Sequence, residues 1–173
     1  MWQYEKKLQY PVNIKNPNPA LAKLIITQFG GPDGELGAAM RYLSQRYSMP
    51  YNEAIGILTD VGTEELAHME MICTIVYQLT RNLTPEQIKA GGFDAYFVDH
   101  TTGLYPVAAS GVPWNANTFQ STGDPIADLT EDLAADATTA KEQPVFSKAR
   151  KPLVLLDFRH FIIFRKNGIP ATI

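Results

Sequence analysis

The sequence predicts an all-α protein built as a four-helix bundle, and three observations carry that prediction. A long segment from Asn52 to about Asn82 holds a broad apolar stripe, Ile57, Val61, Leu66, Met69, Ile72 and Val76, at helical spacing. Within it, Glu65-Leu-Ala-His68 sets a carboxylate and an imidazole three residues apart. On a helix that spacing puts both on one face, about a turn from each other. Several other segments open on Asn, Thr or Asp followed directly by Pro, a helix-start signature. Glu-x-x-His turned into an apolar stripe is the ligand pair of di-iron and di-manganese bundles. Most chance occurrences of the motif are solvated surface pairs. Here the apolar flanks favour a metal half-site, because an unpaired charge among them is costly.

Length and composition fit such a bundle. The 173 residues suit one domain with a real core. Hydrophobic residues make up 45% of the chain and charged ones 19%, which are globular values. A net charge of −3 argues against a nucleic-acid protein. The single Cys73 excludes an internal disulfide and reads as a core residue in the helical stripe. No apolar run approaches membrane-spanning length, and Met1-Trp-Gln-Tyr-Glu is no signal peptide, so a cytoplasmic compartment is expected.

Taken in order, the chain begins with an extended segment, Trp2 to Pro19, carrying Pro11, Pro17 and Pro19 with aromatic Trp2, Tyr4 and Tyr10. Its aromatics either pack back on the body or bind a neighbouring subunit, and we expect the latter. Asn18 can cap a first helix with Pro19 at its first position, continued by Leu21, Leu24, Ile25 and Gln28. Gly30, Gly31, Pro32 and Gly34 should break or kink it. Helical pattern resumes at Glu35 and runs through Leu36, Ala39, Met40, Leu43 and Tyr47. Glu35 is either an acidic charge at a helix start, where the dipole favours it, or a second carboxylate ligand. In the second case Tyr42, seven positions on, is placed to be its hydrogen-bond partner.

Pro50 ends that helix, and Asn52 is a fair cap for the next, whose thirty or so residues would span ~45 Å. Thr84-Pro85-Glu86-Gln87 is a capping box and announces a short helix. From Gly91 to Gly123 the chain reads as loop, and a loop this long is usually functional or interfacial. His100 falls there and reads as a loop or interface histidine. Asp124 caps a further helix with Pro125 at its first position and Ile126, Leu129, Leu133 and Ala137 as its buried stripe. Asp128, Asp132 and Asp136 follow at four-residue steps. A solvated acidic face is the expected reading, with Asp136 able to turn a carboxylate inward.

The segments YEKKLQYPV, NPNPALAK, GGPDGELGAAMRYLSQRY, LTDVGTEELAHMEMICTIVYQLT, VDHTTGLYP, AASGVPW and GDPIADLTEDLAAD together resemble the manganese catalase family, and within it most nearly the CotJC-type spore coat proteins. The resemblance covers residues 1 to about 136. It implies a ferritin-like four-helix bundle, usually a homohexamer, that holds two manganese ions and disproportionates hydrogen peroxide. It matches Glu35 to a carboxylate ligand, Glu65 to the bridging carboxylate, His68 to the first histidine ligand and Tyr42 to a tyrosine beside the ligands. The third-helix glutamate ligand falls at Asp136, one methylene shorter.

After Asp136 the resemblance stops. Residues 137–173 carry Pro144 and Pro152, a β-branched and aromatic run from Leu153 to Phe164, and many basic residues. Such a tail contradicts the fourth helix that should complete the bundle and supply a second histidine. We therefore expect an incomplete catalase-like domain over 1–136 and a divergent tail over 137–173, produced by a reading-frame change. Asp157-Phe-Arg-His160 has the i, i+3 form of a metal pair, but that form is shared by many chance sequences. Two functions follow from the resemblance: peroxide disproportionation, impaired in this chain, or a structural spore coat component that assembles with other coat proteins without significant turnover. No nucleic-acid or membrane partner is expected.

Overall fold

Five α-helices carry the chain from Pro19 to Glu142 in a computed structural model. It describes residues 4–98, 103–104, 107–118 and 120–142, with backbone alone for 97, 98, 103, 104 and 136–142. Helix α1 (Pro19–Gly30) starts as its sequence dictates: Asn18 Oδ1 accepts from Leu21 N at 3.0 Å, and Pro19 occupies the first turn. It ends in the glycine run. There a side chain at Gly34 would put its Cβ 2.8 Å from the Thr27 carbonyl oxygen, so only glycine lets the chain fold this tightly back on α1. Helix α2 (Glu35–Gln45) follows at once and closes in a 3-10 turn, Arg46–Ser48, just before Pro50.

Helix α3 (Asn52–Thr80) is the long rod of the bundle, 29 residues or ~44 Å. Tyr51, in extended conformation, flanks its start, so Asn52 is its first residue rather than its cap. Its buried positions are Ala54, Leu58, Val61, Gly62, Glu65, Ile72, Val76 and Leu79. Ile57, Leu66 and Met69 lie only half buried beside that stripe. The helix is apolar around most of its girth, so period alone does not fix which edge meets α2.

Helix α4 (Pro85–Ala90) forms behind the complete capping box of Thr84 and Gln87. The segment after it is less of a loop than its composition suggests. Phe93 and Tyr96 are buried and pack together with tilted rings, centroids 5.1 Å apart. Strands β1 (Phe97–Val98) and β2 (Gly103–Leu104) pair antiparallel, with Phe97 opposite Leu104. The chain then crosses α1, where Ala109 N donates to Thr27 Oγ1 at 2.8 Å and Trp114 N to the Gly30 carbonyl at 2.8 Å. Helix α5 (Pro125–Glu142) opens on Asp124, whose Oδ1 accepts from Ile126 N and Ala127 N.

Among the described residues the apolar core has two parts. One joins α1, the end of α3 and the crossing segment through Ala22, Ile26, Ile72, Val76, Phe93 and Val107. The other joins α2, the start of α3 and α5 through Ala38, Tyr42, Leu58, Val61 and Leu129. Glu35 and Glu65 fall between them along the chain. The N-terminal arm lies against α3: Tyr4 OH donates to Glu70 Oε1 at 2.9 Å, Gln9 Nε2 to Glu64 Oε1 at 2.9 Å, and Gln78 Nε2 to the Val12 carbonyl at 2.9 Å. Its rings still face outward, Tyr4 57% and Tyr10 55% exposed. Among the described residues no helix is long and apolar enough to cross a membrane. Trp2, His100, Tyr105, His160 and all of 143–173 lie outside the described residues.

Candidate metal centre

The centre is built by two helices. Glu35 is the first residue of α2, where the exposed N–H groups of the first turn favour a carboxylate. Helix-start acids are ordinarily solvated, yet Glu35 is only 4% exposed because it faces α3. From α3 come Glu65, also 4% exposed, and His68, a turn further on. One ligand atom of each residue lies within 4.8 Å of the other two. His68 Nδ1 is 2.7 Å from Glu65 Oε2, and His68 Nε2 is 3.9 Å from Glu64 Oε1.

Close helix approach makes this possible. Gly62, one turn before Glu65, has no side chain; a Cβ there would stand 2.9 Å from Leu43 Cγ and 3.2 Å from Tyr42 Cβ. Glycine thus lets α2 settle on α3 beside the ligands. Tyr42, fully buried, packs at this contact.

The donor set fits a divalent ion of the manganese or iron type. Two carboxylates supply hard oxygens and the imidazole a nitrogen of intermediate softness. Two buried carboxylates in one small cluster repel each other, and a single imidazole can neutralise at most one. A dication offsets both. Cys73, half buried on the same helix, does not join the set: burial pushes its thiol up to about 11, with Glu70 adding to the effect, so it stays protonated and a poor ligand.

Position 136 lies on α5, and its side chain is outside the described residues. The acidic face expected of α5 is corrected by the structure: Asp128 and Asp132 are fully buried. Asp128 accepts from Thr122 N, Thr122 Oγ1 and Gly123 N, at 2.8 to 3.2 Å, and so ties the turn before α5 to its first coils. Asp132 Oδ1 accepts from Gln45 Nε2 on α2 at 3.0 Å. The usable signal was their spacing, which puts both carboxylates beside Leu129 and Leu133. Also missed was Arg41, 2% exposed on α2, whose guanidinium meets Asp33 Oδ1 at 3.5 Å.

A sequence profile of the manganese-containing catalases matches residues 1–165. Protein CotJC of Bacillus subtilis is 57% identical over 136 residues, which cover 79% of this chain and 71% of that one. A probable manganese catalase of Clostridium acetobutylicum is 36% identical over 141 residues, and a manganese catalase of Bacillus subtilis 32% over 150. Both alignments again cover 79% of this chain, but only 61% and 55% of those relatives. The crystal structure of KatB, a manganese catalase from Anabaena, superposes with a TM-score of 0.73 at 26% identity, over 97% of this chain and 76% of that one. The helical architecture is therefore that of the ferritin-like bundles.

Proposed function

The chain belongs to the manganese-containing catalase family, and from that premise we propose that Glu35, Glu65 and His68 form one side of a dinuclear manganese site for disproportionating hydrogen peroxide to water and oxygen. The observation that carries this reading is the meeting of the three donors inside the bundle. Asp136 on α5 is the fourth protein ligand of the proposal. Bound manganese would supply a two-electron store, filled by one peroxide and emptied into the next.

The chain's own residues define what that site requires. Were His68 to hold the ion through Nδ1, that atom would leave Glu65 Oε2 and the proton would sit on Nε2. Glu64 Oε1, 3.9 Å from Nε2, places a carboxylate on the side where that proton would sit. Tyr42, buried against Gly62, limits the movement of α2 relative to Glu65. Burial of both carboxylates keeps bulk water from the donors.

Turnover is impaired in the proposed reading. Asp136 is shorter than a glutamate, and the tail from 137 onward departs from the family as a frame change would make it. In support, each alignment to the three relatives covers 79% of the chain, although the family profile reaches residue 165. The second reading, a spore coat component in which assembly matters more than turnover, is favoured by one observation: identity is 57% to CotJC against 36% and 32% to the two catalases.

The test compares the chain with Glu65→Ala plus His68→Ala for manganese retained after dialysis and for oxygen released from peroxide. We expect retained manganese in the parent, its loss in the double variant, and oxygen evolution weak or absent in both. Equal manganese in the two proteins sinks the metal reading. Robust turnover by the parent refutes the impairment.

A further inference from the structure

The N-terminal arm crosses α3 beside the metal centre, and one of its side chains ends two contacts from a proposed ligand. Gln9 Nε2 donates to Glu64 Oε1 at 2.9 Å, and that same oxygen stands 3.9 Å from His68 Nε2. The other ring nitrogen, His68 Nδ1, faces Glu65 Oε2 at 2.7 Å. Glu64 and His68 are four residues apart on α3, so the helix itself brings them to one face.

Helical spacing does not choose the Glu64 rotamer, however. The side chain is 25% exposed, and some of its staggered positions would carry the carboxylate out to water. The Gln9 amide grips the oxygen that lies nearest His68 and so selects the inward position. Being neutral, it fixes the carboxylate without cancelling its charge. Gln9 is itself held from both sides. Tyr4 OH is bound to Glu70 Oε1 at 2.9 Å, while Gln78 bonds the Val12 carbonyl at 2.9 Å and Ile14 N at 2.7 Å.

At 3.9 Å the carboxylate acts on His68 through its charge rather than through a hydrogen bond. A fixed negative charge beside an imidazole ligand raises the ring's basicity and favours a dication bound to it. We propose that Gln9 is a positioning residue for the metal centre. It holds Glu64 where its charge supports His68, and so makes manganese affinity depend on the N-terminal arm. Gln9 and Glu64 touch no metal in this account; they act through His68. The inference rests on the metal reading of Glu35, Glu65 and His68, and its test separates the two.

The experiment is a double-mutant cycle on Mn(II) affinity, read by electron paramagnetic resonance of free Mn(II), with circular dichroism reporting helix content. Glu64→Gln keeps the shape and an oxygen for Gln9 but removes the charge, and should weaken binding about tenfold, as loss of a partner behind a ligand does. Gln9→Met keeps the side-chain length without the donor and should weaken binding about threefold, yet add less than about 1.5-fold in the Glu64→Gln background. Both variants should keep the helix content of the parent. A merely structural arm gives the same Gln9→Met loss in both backgrounds, and that result overturns the proposal. So does unchanged affinity in Gln9→Met or in Glu64→Gln.

Tyr4→Phe removes the other side-chain anchor of the arm on this stretch of α3 and leaves Gln9 and Glu64 in place. It should change affinity less than about 1.5-fold; a loss equal to that of Gln9→Met would mean that the arm acts as a cover, and overturns the proposal. Should Glu65→Ala plus His68→Ala leave Mn(II) binding untouched, the metal reading itself falls. Should that pair abolish binding while Gln9→Met and Glu64→Gln bind as the parent does, the positioning inference falls alone.

Discussion

Two pairs of buried carboxylates stand out among the described residues, and they differ in what surrounds them. Asp128 and Asp132 on α5 meet donors: two backbone N–H groups, a hydroxyl and an amide. Glu35 and Glu65, from α2 and α3, meet each other and an imidazole. The first arrangement is held by hydrogen-bond donors, which stabilise a buried carboxylate without any added ion. The second gathers negative charge and ligand atoms at one point, a concentration that a bound cation would offset. Burial of an acid is therefore no sign of function by itself; the character of its neighbours is.

Removing one acid from each pair should break the likeness between them. Asp128→Ala strands Thr122 N, Thr122 Oγ1 and Gly123 N near the start of α5. It should cost about 3 kcal/mol of stability in urea unfolding, the range for losing a buried charged hydrogen-bond centre. A loss under about 1 kcal/mol would show that Asp128 is dispensable and the contrast overdrawn.

Glu35→Gln is expected to act in the opposite sense. It keeps the shape and relieves repulsion with Glu65, so the metal-free protein should gain up to about 1 kcal/mol while Mn(II) affinity falls at least tenfold, about 1.4 kcal/mol. Unfolding midpoints and dialysis-based metal content measure the two sides. A variant that loses stability without losing manganese would place Glu35 with the structural acids.

The smallest effect sharpens the comparison from a half-buried acid of another kind. Burial raises the Cys73 thiol from 9.0 to about 11, which favours its protonated form in the folded chain. Its contribution to stability is therefore fully present below pH 9.0 and is lost as pH rises through about 11. Alkylation by iodoacetamide should be slow at pH 8 and reach half its maximal rate near the raised value. A half-maximum near 9.0 would mean that the thiol sits in water.

Local chemistry was the most legible part of the sequence. Asn18 before Pro19, Thr84 with Gln87, and Asp124 before Pro125 start their helices because a short side chain meets N–H groups two or three residues away. Glu65 and His68 were legible for the same reason, as they are one turn apart. Glu35 was open between two roles until the family resemblance, since its neighbours lie some thirty residues on. Asp128 and Asp132 were misjudged because their burial depends on Thr122, Gly123 and Gln45, which no helical period connects to them. Phe93, Tyr96 and Val107 escaped too: they enter the core from irregular backbone, and pattern reading has no period to use there.

The split core has a consequence for how this protein opens. Each apolar cluster could loosen as its own unit, with the acidic waist between them as the natural seam. Among the described helices, only α3 runs unbroken from one to the other, contributing Leu58 and Val61 at one end and Ile72 and Val76 at the other. It is the shaft that joins the two halves, and Glu65 lies on it between them. An ion bound to Glu35 on one helix and Glu65 and His68 on the other would act there as a rivet. It would turn two loosely linked melting units into one and slow amide exchange most at the middle of the rod, far from either end.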